Sequence, residues 1–169
     1  GGGNCPTIED WQVEWGQGVD MTGTLYESDR VTPVAGVWYD SEWTERLQIT
    51  IDSAYVADDL TDFPVYVDLA DLGSSFFGGV QSGGEDIRVT TSDGETEVPI
   101  DLVDIDTGAE TGELHFLADS LSSTTDSTFY IYYNNPLASG YAVTDTYGAE
   151  NVWNSSNYGL VYHMDITGT

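Results

Sequence analysis

Apolar and polar residues alternate along this chain in short runs, and turn formers separate the runs. Leu47, Ile49 and Ile51 face one way while Arg46, Gln48 and Thr50 face the other, so this run reads as a strand with one buried face. Val65, Val67 and Leu69 repeat the pattern. Leu60 to Pro64 reads as a loop entry, because Pro64 lacks the donor that a central strand position needs. Asp71 to Gly84 is a long connection rich in Gly and Ser, with one helical turn expected near Leu69–Leu72. Asp86 to Thr91 is the next strand. Ser92-Asp93-Gly94 then signals a hairpin turn, after which Val98, Ile100 and Leu102 face inward. Thr107 to Gly112 turns the chain into a strand at Glu113–Leu117. Asp119 to Asp126 reads as a polar loop, and Thr128 to Tyr133 is the most β-prone run.

No long stretch carries helical spacing, and strands do not alternate with helices. The predicted fold is all-β, an antiparallel β-sandwich of jelly-roll-like type. Three parts are expected: an N-terminal extension over 1–36, the sandwich over 37–153, and a trailing strand over 154–169. Within the extension Trp11, Val13 and Trp15 share one face of a short strand, whose apolar side needs something to pack on.

The stretch from Val37 to Ile51 holds Trp38, Asp40-Ser41, Trp43, Arg46 and Ile49-Thr50-Ile51. Phe63-Pro64-Val65, Asp86-Ile87-Arg88-Val89 and Tyr130-Ile131-Tyr132-Tyr133-Asn134 follow in order. In these motifs the chain resembles the domain-of-unknown-function family 2341, found in large bacterial and archaeal surface proteins. The resemblance covers about Val37 to Trp153 and implies an extracellular, cell-surface location; it implies no activity. Val161-Tyr162-His163-Met164 and Asp165-Ile166-Thr167-Gly168 resemble the opening of a laminin-G or concanavalin-like sandwich.

Charge narrows the partners. Three Arg and no Lys face thirty Asp and Glu, a formal net charge of -27. Such a surface repels phosphate backbones and anionic bilayers, which argues against nucleic acid as a partner. Apolar runs are only a few residues long, so no membrane insertion is expected. The acids have two readings: solubility in a salty medium, where ions screen the self-repulsion, or divalent-cation binding. Calcium is the one candidate cofactor. Asp104 and Asp106 share a strand face, and Asp93 lies in a turn, so these three are its candidate ligands. The single cysteine, Cys5, excludes an internal disulfide and a Cys-based zinc site.

Catalysis finds little support. His115 and His163 both fall in predicted strands, and no G-x-S-x-G elbow is present. The expected role is therefore a non-catalytic structural or adhesive module, with other protein subunits or surface glycans as partners. Trp38, Tyr39 and Trp43 read either as a stacking surface for sugar rings or as a cap on the core. Tyr130 and Tyr132 are a contact surface if exposed, and otherwise lie under another element. Two alternatives remain: a filament subunit assembled by strand donation through Trp11, Val13 and Trp15, and a carbohydrate-binding module.

Overall fold

The computed structural model describes residues 38–153 together with Tyr158 and Val161. Among these residues seven strands run in chain order: β1 Glu45–Ile51, β2 Leu60–Asp68, β3 Arg88–Thr90, β4 Glu97–Val98, β5 Ile100–Asp106, β6 Thr111–Leu121 and β7 Ser127–Tyr133. Two short α-helices join them, α1 Ser74–Gly79 and α2 Ala149–Val152, with single 3₁₀ turns at Ser53–Tyr55 and Leu69–Leu72. All pairings are antiparallel, in a four-stranded sheet of order β1-β7-β3-β4 and a three-stranded sheet of order β2-β6-β5. The predicted all-β sandwich is what forms. The expectations for 1–36 and for most of 154–169 lie outside the described residues.

The core follows from the two-residue period of the strands. Val89, Val98, Phe129, Ile131 and Tyr133 of the larger sheet meet Ile100, Leu114, Phe116 and Ala118 of the smaller. Phe116 and Phe129 touch across the gap with ring centres 4.8 Å apart. Leu69 and the α1 residues Phe76 and Phe77 join the same cluster, Phe76 lying edge-on to Tyr133. Each such side chain contributes roughly 1.5–3 kcal/mol on leaving water. Leu47, Ile49 and Ile51 of β1 and Val65 and Val67 of β2 are only half-buried against this core, because both strands lie at sheet edges.

Two sequence expectations need correction. Pro64 is not a loop entry but lies inside β2, paired with Leu117. An edge strand tolerates it, since only one side of its backbone is engaged in the ladder. Val98 and Ile100 face the core as expected, from two different strands. Pro99 separates β4 in one sheet from β5 in the other, and it has no N–H to continue a ladder. Its carbonyl accepts from Leu117 N at 3.0 Å, while Ile100 N donates to the Tyr147 carbonyl at 3.0 Å. The chain thus crosses between sheets at this residue. Finally, β6 runs on to Leu121, taking in residues expected to be loop.

The hairpin and helical turns form where expected. Gly94 takes φ +76° in the β3–β4 hairpin, and Thr91 N donates to Thr96 O at 2.9 Å. The Asp68 carboxylate caps the turn at Leu69–Leu72 by accepting from Ala70 N at 3.0 Å.

Candidate functional site

Alternation sends half of each strand's side chains to the outer face of the four-stranded sheet. Arg46, Tyr132 and Arg88 form one cross-strand row there, and Gln48, Tyr130, Thr90 and Glu97 form the next. Arg46 and Arg88 are each only 5% exposed. The segment before β1 covers them. It turns at Asp40, whose carbonyl accepts from Trp43 N and whose carboxylate accepts from Glu42 N.

Each arginine sits in a cage of rings. The Arg46 guanidinium lies 4.7 Å from the Trp38 ring centre and 4.5 Å from that of Tyr130. Its Nη1 donates to the Tyr132 hydroxyl at 3.1 Å, and that hydroxyl donates to the Gly94 carbonyl at 2.8 Å. Arg88 lies 4.2 Å from Tyr141 and 5.2 Å from Trp43. Its Nη1 donates to the Glu85 and Ile87 carbonyls, and Nη2 donates to the Ser139 carbonyl at 2.8 Å. Arginine suits these places because its planar, weakly hydrated head stacks on rings while its fork of N–H groups reaches carbonyls.

Two buried carboxylates complete the layer. Glu97 accepts from the Tyr39 and Tyr141 hydroxyls, at 2.7 Å each, and its Oε1 stands 3.6 Å from Arg88 Nε. Burial pushes its carboxyl up, against the lowering pull of the two phenols and the guanidinium. Both tyrosine hydroxyls are in turn pushed up, first by burial and then by their bond to Glu97. Asp86 is fully buried. Its Oδ1 accepts from Gln81 N, its Oδ2 from Asn134 N and Asn135 N, and its carbonyl takes Trp43 Nε1 at 2.6 Å. These acids tie segments far apart in sequence to one sheet face.

Beside Arg88 opens a cleft of about 210 Å³. One wall is the turn from Gly83 to Arg88, a second is the start of β5, and the third is the loop reaching α2. Glu85 and Asp101 are among its lining residues, and Glu85 Oε2 accepts from Gly83 N at 3.2 Å. Asp101 Oδ2 accepts from Trp153 Nε1 at 2.6 Å, and the Trp153 ring lies 5.0 Å from that of His115.

The residues proposed from sequence land as follows. Trp38, Trp43 and Tyr132 are buried, at 6%, 7% and 0% exposure, so they offer no open ring face to a ligand. Trp38 and Trp43 therefore act as a cap, over the outer face of the sheet, rather than as a stacking surface, and Tyr132 lies under that layer rather than forming a contact surface. Tyr39 and Tyr130 are half-buried in the same layer. The three candidate calcium ligands do not converge. Asp93 belongs to the β3–β4 hairpin, whereas Asp104 and Asp106 lie on β5 of the other sheet, beyond a bulge after Leu102. Asp93 accepts from Thr91 Oγ1, Glu95 N, Thr96 N and Thr96 Oγ1, and Asp106 Oδ1 accepts from Gly108 N and Ala109 N. No cluster of metal-ligating side chains occurs among the described residues. His115 is half-buried between the Tyr66 and Trp153 rings. Trp11, Val13, Trp15 and His163 lie outside the described residues.

Sequence reasoning passed over Arg46, Arg88, Glu97, Asp86 and Tyr141. A signal existed for the arginines: in a chain without lysine, two of three arginines occupy strand positions that alternate with core residues. No helix among the described residues is long and apolar enough to cross a membrane. No family model, curated protein or solved structure matches the chain.

Proposed function

We propose that this chain is a non-catalytic structural or adhesive module of a microbial cell-surface protein. One observation carries the reading: the buried charges of the outer layer are committed to internal cross-links. Asp86, Glu97, Arg46 and Arg88 each bind backbone or ring partners of this chain, and those bonds hold loops down on a sheet. Catalysis needs such groups aimed at a reacting atom in a cleft. The charge of -27 adds support, because the described cations are both buried and leave an acidic surface suited to a salty exterior. The resemblance of its motif order to that of family 2341 points to the same location. Immunogold labelling of intact cells with antibody to residues 38–153 tests it. Label on the outside of unbroken cells is expected, and label only after lysis overturns the proposal.

A second reading is a filament subunit. Among the described residues β1 pairs only with β7, so its other edge is available to a donated strand. The alternating Trp11, Val13 and Trp15 have the pattern such a strand requires. Removing residues 1–36 should leave a folded monomer that no longer assembles. A full-length chain that stays monomeric under electron microscopy sinks this reading.

A further inference from the structure

We infer that the open side of the sandwich is closed by residues 11–15 of the same chain, which add a strand to the edge of β1 and seat Trp11, Val13 and Trp15 between the two sheets. The two sides of the sandwich differ. On one, the chain passes from β4 to β5 through Pro99, and the core residues there, Val98 and Ile100, are 5% and 9% exposed. The edge strands β1 and β2 border the other. Their core-facing residues, Leu47, Ile49 and Ile51 on β1 and Val65 and Val67 on β2, are all half-buried. Phe63, two residues before Val65 and so on the same face of β2, is 42% exposed. Six apolar side chains from two edges thus line one slot, and a contiguous apolar surface of this kind calls for an apolar occupant.

Among the described residues, one of the four sheet edges suits an added strand. β4 has only two residues. α2 packs against β5, whose first N–H, that of Ile100, is bonded to the Tyr147 carbonyl. β2 is guarded, because Pro64 has no N–H to offer and Asp62, at φ +51°, breaks the extended run. β1 has seven residues without proline or positive φ, and pairs with β7 alone. A strand laid along it continues the four-stranded sheet and sends every second side chain into the slot. Trp11, Val13 and Trp15 match the three core-facing residues of β1 in number and spacing, while Gln12 and Glu14 turn outward. β2 stays unpaired, so water still reaches its edge.

The reach of the chain favours its own segment over that of a second copy. Trp38, the first described residue, lies 4.7 Å from the Arg46 guanidinium, near the start of β1. Residues 16–37 join it to Trp15. A coil of that length spans about 25 Å on average, close to the length of a seven-residue strand, so the segment is present at its own edge at an effective concentration on the order of millimolar. A second copy has to approach against a like charge of -27. Donation between copies needs the same edge and has to displace this strand first.

Hydrogen exchange tests this on the whole chain, held at a concentration where size exclusion shows a monomer. The amides of β1 that point away from β7 are read by NMR in the wild type, in Val13→Asp and in a chain lacking residues 1–36. Val13→Asp puts a charge into the slot without touching any described residue. In both variants these amides should exchange about tenfold faster or more, while those of β3 and β7 keep their rates. Mixing isotope-labelled with unlabelled wild type should give contacts from Trp11 and Val13 to Leu47 and Ile49 within labelled molecules only. Should the shortened chain aggregate, Val13→Asp decides alone. Equal exchange in the wild type and Val13→Asp overturns the inference, whether the edge is bare or another part of residues 1–36 covers it. Protection that appears only on assembly, or contacts only between labelled and unlabelled copies, also overturns it, yet that result leaves the filament reading standing.

Discussion

The four-stranded sheet buries both its faces, by opposite means. On the inner face Val89, Val98, Phe129 and Ile131 pack against apolar partners and make no directional bonds through their side chains. On the outer face Arg88, Glu97 and Tyr132 come from the same strands, one residue out of phase, and Arg46 comes from β1; all four are at most 9% exposed. There a polar group needs a partner, because a buried donor or acceptor left unmatched costs roughly 1–3 kcal/mol. The inner face tolerates any side chain of the right size, whereas the outer face specifies its partners singly. Such a layer fixes where loops lie. Tyr39 brings in the segment before β1, and Tyr141 brings in the loop after β7, both onto Glu97.

The largest test of this contrast strikes the inner face. Ile131 is fully buried, between Leu47 and Val89 in the register of the sheet. Ile131→Asp should cost about 4 kcal/mol or more, a large part of a typical domain's roughly 5–15 kcal/mol. Val67→Asp, on half-buried β2, should cost clearly less, about 1–3 kcal/mol, because water reaches the edge. Urea denaturation measures both. Equal losses would mean that water does not reach the edge at β2.

The next test strikes the outer face. Arg88→Met keeps bulk and removes charge, leaving Glu97 buried without its cation. Breaking a pair of this kind costs roughly 3–5 kcal/mol, most of it from the stranded partner. Arg88→Met with Glu97→Gln should therefore recover at least half of that loss, which no inner-face pair of substitutions would do. If the double variant is no better than Arg88→Met alone, the carboxylate is not what the arginine serves. Arg46→Met should cost less, about 2 kcal/mol, through loss of its contacts with the Trp38 and Tyr130 rings.

How much of this could be read in the sequence depends on how local the cause is. The inner face was legible because alternation is a property of neighbours: Leu47 and Ile49, or Ile131 and Phe129, declare themselves within one strand. The Asp93-Gly94 turn was legible for the same reason. Alternation also gave the outward direction of Arg46 correctly, but outward did not mean exposed. What covers it, Trp38, is placed by folding the chain back at Asp40. Glu97 lies 58 residues from Tyr39 and 44 from Tyr141, and nothing in either neighbourhood announces the meeting. The change of sheet at Pro99 was hidden by alternation itself, since Val98, Ile100 and Leu102 continue the pattern across it. The cleft is the least local feature, made from three segments that are separate in the sequence.

The smallest expected effect sets two carboxylates against each other by pH. Glu97 is buried in the layer, and burial raises its carboxyl above the ordinary 4.5. Asp93 is exposed in the hairpin. Its partial burial acts upward, but its bonds from Thr96, Glu95 and Thr91 outweigh that and hold it far below the ordinary 3.8. The signs follow from which state binds more protons. For Glu97 the folded state does, between the ordinary value and the raised one, so its contribution to stability falls as pH rises through that window. For Asp93 the unfolded state does, so its contribution is fully present above the ordinary value and is lost as pH falls toward its lowered one. Relative to Glu97→Gln, the wild type should therefore gain stability on acidification from neutral pH. Relative to Asp93→Asn it should lose stability, by on the order of 1 kcal/mol or less for an exposed turn. Urea denaturation of the three proteins at steps between neutral pH and pH 3 reads both differences. If the two difference curves slope the same way, the acid in the aromatic layer is no more desolvated than the acid in the turn, and the contrast between a sealed outer face and an open surface fails at Glu97.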